Sequence, residues 1–323
     1  MLKDTEFAYA VARIRSNETK LLSSNTVESL VNAHDYDEAL KILSEAGYGD
    51  FDKFDEDVLL SKRMREAFEL IYESAPEKSC LDFLIVKNDF HNIKALLKGM
   101  VLNVDTENLL LSPSVTSPKE LKEALETKQY SSLPYGFGDI LKEAYELVTE
   151  TMDGQKLEVY LDKRCVETSV MLAKLSEDEF SVSLSGLMAS LCDIRIALRC
   201  LKTGKDKNFM MSALADVPSV DKEALCQAVL SGEDALCAYV KRLGFESLSE
   251  SVKTGYAAFE KVSDDMLIEK IKNAKYQCLG IAPLVAYYFA TDAEVKTVRI
   301  ILSCKKNGMD SESIRERVRV LYV

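Results

Sequence analysis

Asp264, Asp265 and Glu269 form the tightest group of side chains in this sequence that could do chemistry. Clustered carboxylates suit Mg²⁺, and protein-bound Mg²⁺ commonly holds phosphate groups. The two aspartates also fit a structural role, because acidic residues in the first turn of a helix interact favourably with its dipole. The stretch Ser263-Asp-Asp-Met266 predicts such a helix start. The cluster therefore has two interpretations, a metal site and a helix N-terminus.

Other short motifs that would indicate catalysis or nucleotide binding are missing from the sequence. Thr203-Gly-Lys205 lacks the leading glycine of a phosphate-binding loop and is followed by Asp206 rather than Ser or Thr. Gly136-Phe-Gly138 has Leu141 where a dinucleotide-binding fingerprint needs its third glycine. The eight cysteines are scattered without C-x-x-C spacing, which favours a reducing cytosol and no zinc site. We therefore expect no catalytic residue, no cofactor and no metal.

Three heptapeptides, at 92–98, 193–199 and 297–303, share one pattern. Each runs polar, β-branched, basic and then three apolar residues, and the basic residues Lys94, Arg195 and Arg299 are 101 and 104 positions apart. On a helix this pattern leaves only a narrow polar stripe, so these helices should be mostly buried. We predict that the three basic residues occupy equivalent places in three related helical subdomains. Their charges should be paired or reach a polar interior, because a lone buried charge is costly.

Composition and helix signals predict an all-α fold. Glycine and proline together supply 19 of the 323 residues, or about 6%, against a usual share near 12%. Helix starts are indicated at Asp35, at Asp310 and, with a capping box and a proline, at Ser117. The whole chain, 1–323, is interpreted as one domain containing repeat helices near 89–99, 190–204 and 294–308. A glycine is expected to close each repeat helix, and these are Gly99, Gly204 and Gly308.

Charge and hydropathy limit the partners that this chain can have. The formal net charge of −12 lacks the basic footprint of nucleic-acid binding or of anionic membranes. The longest uncharged run, 276–291, has 16 residues, short of the roughly 20 that span a bilayer. We therefore predict no nucleic-acid partner and no transmembrane segment. Any work at a membrane should proceed through another protein.

Segments spread over the whole chain carry a family resemblance. They are Tyr9–Arg15, Tyr36–Leu43, Gly47–Gly49, Asp89–Lys98, Ala282–Gly308 and Ile314–Val323. Together they closely resemble the C subunit of archaeal and bacterial V/A-type rotary ATPases, the counterpart of the d subunit of eukaryotic V-ATPases. The family tends to carry Asn-Ile-Lys/Arg in its repeats, and this chain has Asp193 and Thr297 where the first copy has Asn92. A hydrogen bond common to all three copies is therefore not expected.

The resemblance implies a funnel-shaped, all-helical protein of three related subdomains around a pseudo-threefold axis. It also implies a non-catalytic role in the central stalk, peripheral to the cytoplasmic side of the cell membrane. There the protein would receive the rotating shaft of the soluble head and sit on the proteolipid rotor ring, so that rotation and proton or sodium transport are coupled. The resemblance does not indicate the ion, the direction of the reaction or the size of the ring.

Two alternatives come from other classes of protein. The Asp264-Asp265 cluster faintly resembles the magnesium–diphosphate motif of all-α terpene synthases, although no second metal-binding cluster is visible in the sequence. That alternative predicts diphosphate release in the presence of Mg²⁺. A helical solenoid scaffold would repeat every 20–50 residues rather than about every 100.

Overall fold

In a computed structural model, residues 3–51 and 53–323 are described, and they form helices joined by short turns, with no strand among them. The predicted all-α fold is confirmed. In chain order the α-helices of the described residues are α1 (Ala8–Glu18), α2 (Ser24–Asn32), α3 (Tyr36–Glu45), α4 (Glu56–Ser74), α5 (Asp82–Leu102), α6 (Pro118–Thr127), α7 (Phe137–Thr151), α8 (Gly154–Leu175), α9 (Glu179–Thr203), α10 (Lys207–Ala213), α11 (Lys222–Ser231), α12 (Glu233–Arg242), α13 (Glu246–Thr254), α14 (Tyr256–Lys272), α15 (Ala282–Lys306) and α16 (Ser311–Arg315).

The chain divides into two compact units. The terminal unit contains the chain up to Lys78 together with 257–323, and the middle unit contains 79–256. Of the three repeat helices, α5 and α9 lie in the middle unit and α15 lies in the terminal unit. The arrangement of three related subdomains within one domain stays a prediction.

The terminal unit is organised around α15. This helix packs against α1, α3 and α4. Its side of the core includes the buried Val298 and Ile301, which meet Leu30, Leu43 and Leu60 from the N-terminal helices. The longest uncharged run of the sequence, 276–291, becomes helical at Ala282, and Pro283 occupies the first turn of α15, where a missing N–H costs nothing.

The middle unit is organised around α8. This helix packs against α5, α7 and α9, and the shorter helices from α10 to α13 follow. A small cluster of Val170, Ala189, Ala215 and Val217 joins α8 and α9 to the turn before α11. Ala215 and Val217 are therefore the buried side of that turn.

The long apolar helix α9 was not singled out by its sequence as a membrane candidate. Among the described residues it is the one helix with the length and hydropathy to span a membrane, and 56% of its most apolar window is buried inside the protein. Buried core helices of proteins that do not cross a membrane can have the same length and apolar composition. The contacts of α9 with α8, α10 and α11 account for its apolar composition.

The predicted helix starts are mostly confirmed. Ser117 caps α6 with a full capping box, since its Oγ accepts from the Glu120 N–H while the Glu120 carboxylate accepts from the Ser117 N–H. Asp35 and Asp310 cap α3 and α16 through their carboxylates, which accept the N–H groups three residues further on, without a full capping box. The start predicted at Ser263 is wrong, because α14 runs without interruption from Tyr256.

The predicted glycine stops are right for two repeat helices and wrong for one. Gly204 ends α9 in the left-handed conformation, and Gly308 follows the last residues of α15 at φ +65°. Gly99, in contrast, lies inside α5, which continues to Leu102 and ends on Asn103 in the left-handed region. The reason for glycine at 99 is a close approach, because a Cβ there would lie 2.5 Å from Thr106 Cγ2.

Candidate functional site: the polar residues of the repeat helices

The three basic residues singled out by the sequence lie within the long helices α5, α9 and α15. Lys94 is half-buried, and Arg195 and Arg299 are exposed. The apolar neighbours on either side of each are buried, except for the half-buried Ile196 and Ile300. The mostly buried helix with a narrow polar stripe is therefore confirmed. The equivalence of the three positions in three superposable units stays a prediction.

Lys94 and Arg299 form ion pairs that join two helices, each pair within its own unit. Lys94 pairs with Asp162 of α8. Arg299 of α15 pairs with Asp57 of α4 at 3.2 Å, and both side chains are more than half exposed. Arg195 approaches the Cys192 Sγ at 3.8 Å, and burial raises the pKa of that thiol. These contacts hold neighbouring turns and helices, each within its own unit.

The opposite, inward face of each repeat helix carries two buried polar residues, and sequence reasoning identified only one of the two positions, that of Asn92, Asp193 and Thr297. Two positions are involved, two and five residues before the basic residue, and they lie about one helical turn apart on one face. Every one of the six residues is at most 3% exposed. They are Asp89 and Asn92 in α5, Ser190 and Asp193 in α9, and Glu294 and Thr297 in α15. A polar pair at i, i+3 inside an otherwise apolar helix is the signal that could have revealed them.

In α5 the two polar residues hold the loop that leads to α6. Asn92 makes a two-way contact with Leu111, accepting its N–H at 2.7 Å and donating Nδ2 to its carbonyl at 3.0 Å. Asp89 accepts the N–H groups of Val115 and Thr116 at 2.9 and 2.6 Å. Burial raises the pKa of Asp89 to about 6, although these two N–H donors act to lower it. The loop is thus fixed by its backbone rather than by its side chains.

In α9 the corresponding contact has fewer hydrogen bonds. Asp193 Oδ1 accepts the Ala215 N–H at 3.0 Å in the turn that leads to α11. Within the described part of the chain, the other oxygen, Oδ2, is buried without a hydrogen-bond partner. Burial is the main cause that raises the pKa of Asp193 to about 6. Ser190 donates to the Gly186 carbonyl of its own helix and does not reach the turn.

In α15 Glu294 is the centre of a buried network. Its Oε1 accepts from the Tyr48 hydroxyl at 2.6 Å and from Arg63 Nη2 at 3.2 Å, and its Oε2 accepts the Leu22 N–H at 2.5 Å. Burial and the neighbouring carboxylate raise the pKa of Tyr48. Burial is the largest single influence on Arg63 and acts to lower its pKa, but Glu294, Tyr48 and Tyr287 together outweigh it, so the pKa is raised. One carboxylate thus joins α15 to α4 and to the turns before α2 and after α3.

The acidic cluster of α14 serves the C-terminal segment. Asp264 pairs with Arg319 at 3.0 Å and with Lys296 at 3.3 Å. Asp265 pairs with Lys261 at 3.0 Å and accepts the Val320 N–H at 2.7 Å. Both aspartates lie in the middle of the helix, so the interpretation as a helix start is wrong as well. Both carboxylates are engaged in ion pairs, and the described residues contain no group of three or more potential metal ligands.

A groove of about 820 Å³ in the middle unit lies between the end of α5, the following loop and α6. Exposed apolar side chains, among them Met100, Leu102 and Val104, lie along this stretch. Charged residues such as Asp105 and Lys119 line the groove in exposed positions.

The fold and these contacts define an all-helical protein whose buried charges are committed to holding helices and loops together. The chain matches the model of the ATP synthase (C/AC39) subunit family over residues 10–317. It therefore belongs to that family, and the resemblance seen in the sequence is confirmed. The terpene synthase alternative has no support from these comparisons or from the cluster of α14.

Similar proteins align over almost the whole chain. The C subunit of the V-type sodium ATPase of Enterococcus hirae is 25% identical over 319 residues, covering 96% of this chain and 97% of the relative. The C subunit of the A-type ATP synthase of Methanocaldococcus jannaschii is also 25% identical, covering 96% and 85%. The C subunit of the V-type ATP synthase of Thermus thermophilus is 23% identical, covering 97% and 98%.

Proposed function

We propose that this chain is the non-catalytic C subunit of a V/A-type rotary ATPase or ATP synthase, which couples rotation to proton or sodium transport. In this role it lies in the central stalk on the cytoplasmic side of the membrane. It receives the rotating shaft of the soluble head and rests on the cytoplasmic face of the proteolipid rotor ring. Rotation of one is thereby transmitted to the other.

The observation that carries this proposal is the family match over residues 10–317, together with relatives that align from end to end. The relatives bear the names of C subunits of V-type and A-type enzymes, from bacteria and an archaeon. The chemistry of the described residues agrees with a structural role. The candidate metal ligands of α14 are in ion pairs, and the buried carboxylate Glu294 is fully engaged in internal contacts.

A protein that couples two parts of a rotor must withstand the load that it transmits. Moving one elementary charge against a membrane potential involves about 2.3 kcal/mol per 100 mV. A joint that passes on several such steps needs a full interface on each side, on the order of 1,600 Å² or more. A chain with a net charge of −12 must hold the ring through protein contacts rather than through anionic lipid.

The test uses membrane vesicles that contain the complete complex. The chain is removed and then added back, while ATP hydrolysis and ion uptake are followed in the same sample. We expect hydrolysis by the detached head to remain largely intact without the chain, while ion uptake is lost. Adding back the purified chain should restore the normal ratio of ions moved to ATP hydrolysed. Depleted membranes that still pumped at the normal ratio would contradict the proposal.

Two controls sharpen this test. The Glu158→Gln chain changes only an exposed ion pair with Lys98, so it should restore coupling as well as the unchanged chain does. The isolated chain should neither hydrolyse ATP nor bind it in calorimetry, and it should release no diphosphate with Mg²⁺. Saturable ATP binding at micromolar concentration would argue against a purely structural role.

A further inference from the structure

Two carboxylates at the same repeat position hold the same kind of backbone group. Asp89 lies five residues before Lys94, and Glu294 lies five residues before Arg299. Asp89 accepts the N–H of Thr116, and Glu294 accepts the N–H of Leu22. In each case the N–H belongs to a residue that directly precedes the N-cap of a helix, α6 or α2.

The two N-caps are alike as well. Ser117 caps α6 by accepting the N–H of Glu120, three residues on. Ser23 caps α2 by accepting the N–H of Thr26, also three residues on. The shared arrangement is a buried carboxylate on a long helix, a held N–H, a serine cap and then a helix. It therefore extends over several consecutive residues rather than resting on one hydrogen bond.

The order along the chain differs between the two cases. The α5 carboxylate holds an N–H that lies 27 residues later, ahead of α6, whereas the α15 carboxylate holds one that lies 272 residues earlier, ahead of α2. In α9 the residue at this position, Ser190, does not reach the following turn, which is held instead by Asp193 three residues further on, through the Ala215 N–H ahead of α11. In chain order α15 is followed by the short helix α16, but the Glu294 carboxylate holds the N-terminal segment at Leu22.

We propose that Asp89 and Glu294 are equivalent positioning residues, and that α2 continues the third repeat as α6 continues the first. The repeat pattern thus closes on itself, with the N-terminal helices joined to α15 through hydrogen bonds instead of a peptide connection. The Glu294 contact is the stronger of the two because Arg63 and Tyr48 bind the same carboxylate. This proposal concerns the folding units and does not depend on the proposed function.

Hydrogen exchange measured by mass spectrometry on the full chain tests this equivalence. In Glu294→Gln, we expect amide exchange in peptides covering 20–32 to become at least tenfold faster, while 113–125 stays protected. In Asp89→Asn, we expect amide exchange in 113–125 to become faster while 20–32 stays protected. Glu158→Gln is the matched control, because its exposed carboxylate pairs only across the surface, and it should change neither segment.

The outcome against the proposal is equally specific. Equal acceleration of both segments in both variants would mean global destabilisation rather than local positioning, and it would overturn the equivalence. If Glu294→Gln does not fold, Glu294→Asp is used, since it keeps a charge beside Arg63 but shortens the reach to the Leu22 N–H. It should again accelerate exchange in 20–32 alone, and unchanged protection of that segment would refute the role of Glu294.

Discussion

Glu294 in the terminal unit and Asp193 in the middle unit are buried carboxylates of long repeat helices, but their surroundings differ sharply. Glu294 has donors on both oxygens, supplied by a backbone N–H, a tyrosine and an arginine. Asp193 has one backbone donor, and within the described residues its second oxygen has none. The difference shows that the same repeat pattern can place a buried carboxylate whose oxygens all have hydrogen-bond donors or one whose oxygens do not.

The cause lies in which cations the neighbouring helices supply. In the terminal unit α4 packs on α15 and brings Arg63 to Glu294. In the middle unit the nearby Lys163 and Lys222 both pair at 2.7 Å with Asp216. These pairs lower the pKa of Asp216 to about 2. Burial is therefore the dominant influence on the pKa of Asp193. We expect the contribution of Asp193 to stability to depend on pH more than that of Glu294.

The largest predicted effect is that of Glu294→Ala. This change removes the acceptor of the Leu22 N–H and leaves the largely buried Arg63 guanidinium with the Lys20 carbonyl but without its carboxylate partner. Breaking a buried ion pair from one side costs about 3–5 kcal/mol, and we expect a loss of that size in the free energy of unfolding measured with denaturant. Asp57→Ala, which breaks the exposed pair with Arg299, should cost less than about 1 kcal/mol. Similar losses for both variants would contradict the contrast between the two contacts.

A second prediction compares Asn92 with Thr297 at the same repeat position. Asn92→Ala removes both hydrogen bonds to Leu111 and should lower the free energy of unfolding by about 2–3 kcal/mol. Thr297→Val should be neutral within about 1 kcal/mol or slightly stabilising, because within the described residues its buried hydroxyl has no partner. Thermal or denaturant unfolding of both variants decides this. An Asn92 variant as stable as the Thr297 variant would contradict it.

The sequence allowed the helices to be predicted more fully than their inward contacts. The capping box at Ser117 is local, so its side chains and backbone groups lie within four residues and can be recognised in the sequence. The stripe that carries Lys94, Arg195 and Arg299 follows from helical periodicity alone. The partners of Glu294 lie 231 to 272 residues away, at Arg63, Tyr48 and Leu22, and no local pattern indicates them.

Gly99 illustrates the same limit for a backbone position. A glycine after an apolar helical pattern is typical of a helix end, and the sequence offers no sign of the alternative. The chain instead continues in α5 and returns so closely that Thr106 and the Val104 carbonyl occupy the space of a Cβ. Such a close approach depends on how the loop folds back, so it could be recognised only in three dimensions.

A third prediction concerns a substitution that gives position 193 the same side chain as Asn92. In Asp193→Asn, the amide can still accept the Ala215 N–H and can donate to the Ala215 carbonyl, as Asn92 does with Leu111. We expect a gain of about 1 kcal/mol in the free energy of unfolding at pH 7. The reciprocal change, Asn92→Asp, should lose stability at the same pH. A destabilised Asp193→Asn would show that the charge itself is needed.

The pH dependence of this gain follows from the raised pKa of Asp193, about 6 in the folded state against 3.8 as its ordinary value. Between these values the folded state binds more protons than the unfolded state, so this group stabilises the fold as the pH falls and loses that contribution as the pH rises through 6. The advantage of Asp193→Asn should therefore shrink between pH 7 and pH 5. Unfolding curves of both proteins at the two pH values measure this, and an advantage that grew on acidification would contradict the assignment.

The smallest predicted effect concerns the exposed stripe. Arg299→Ala removes an ion pair whose two side chains are 52% and 72% exposed, and such pairs contribute about 0–1 kcal/mol. Salt screens exposed charges, so the difference from the unchanged chain should shrink further between low ionic strength and about 1 M salt. Unfolding of both proteins at the two salt concentrations checks this. A loss above about 2 kcal/mol that persisted in salt would mean that Arg299 is held by more than Asp57. The contrast between the weak exposed contact of Arg299 and the strong buried contacts of Glu294 would then fail for α15, the helix that shows it most clearly.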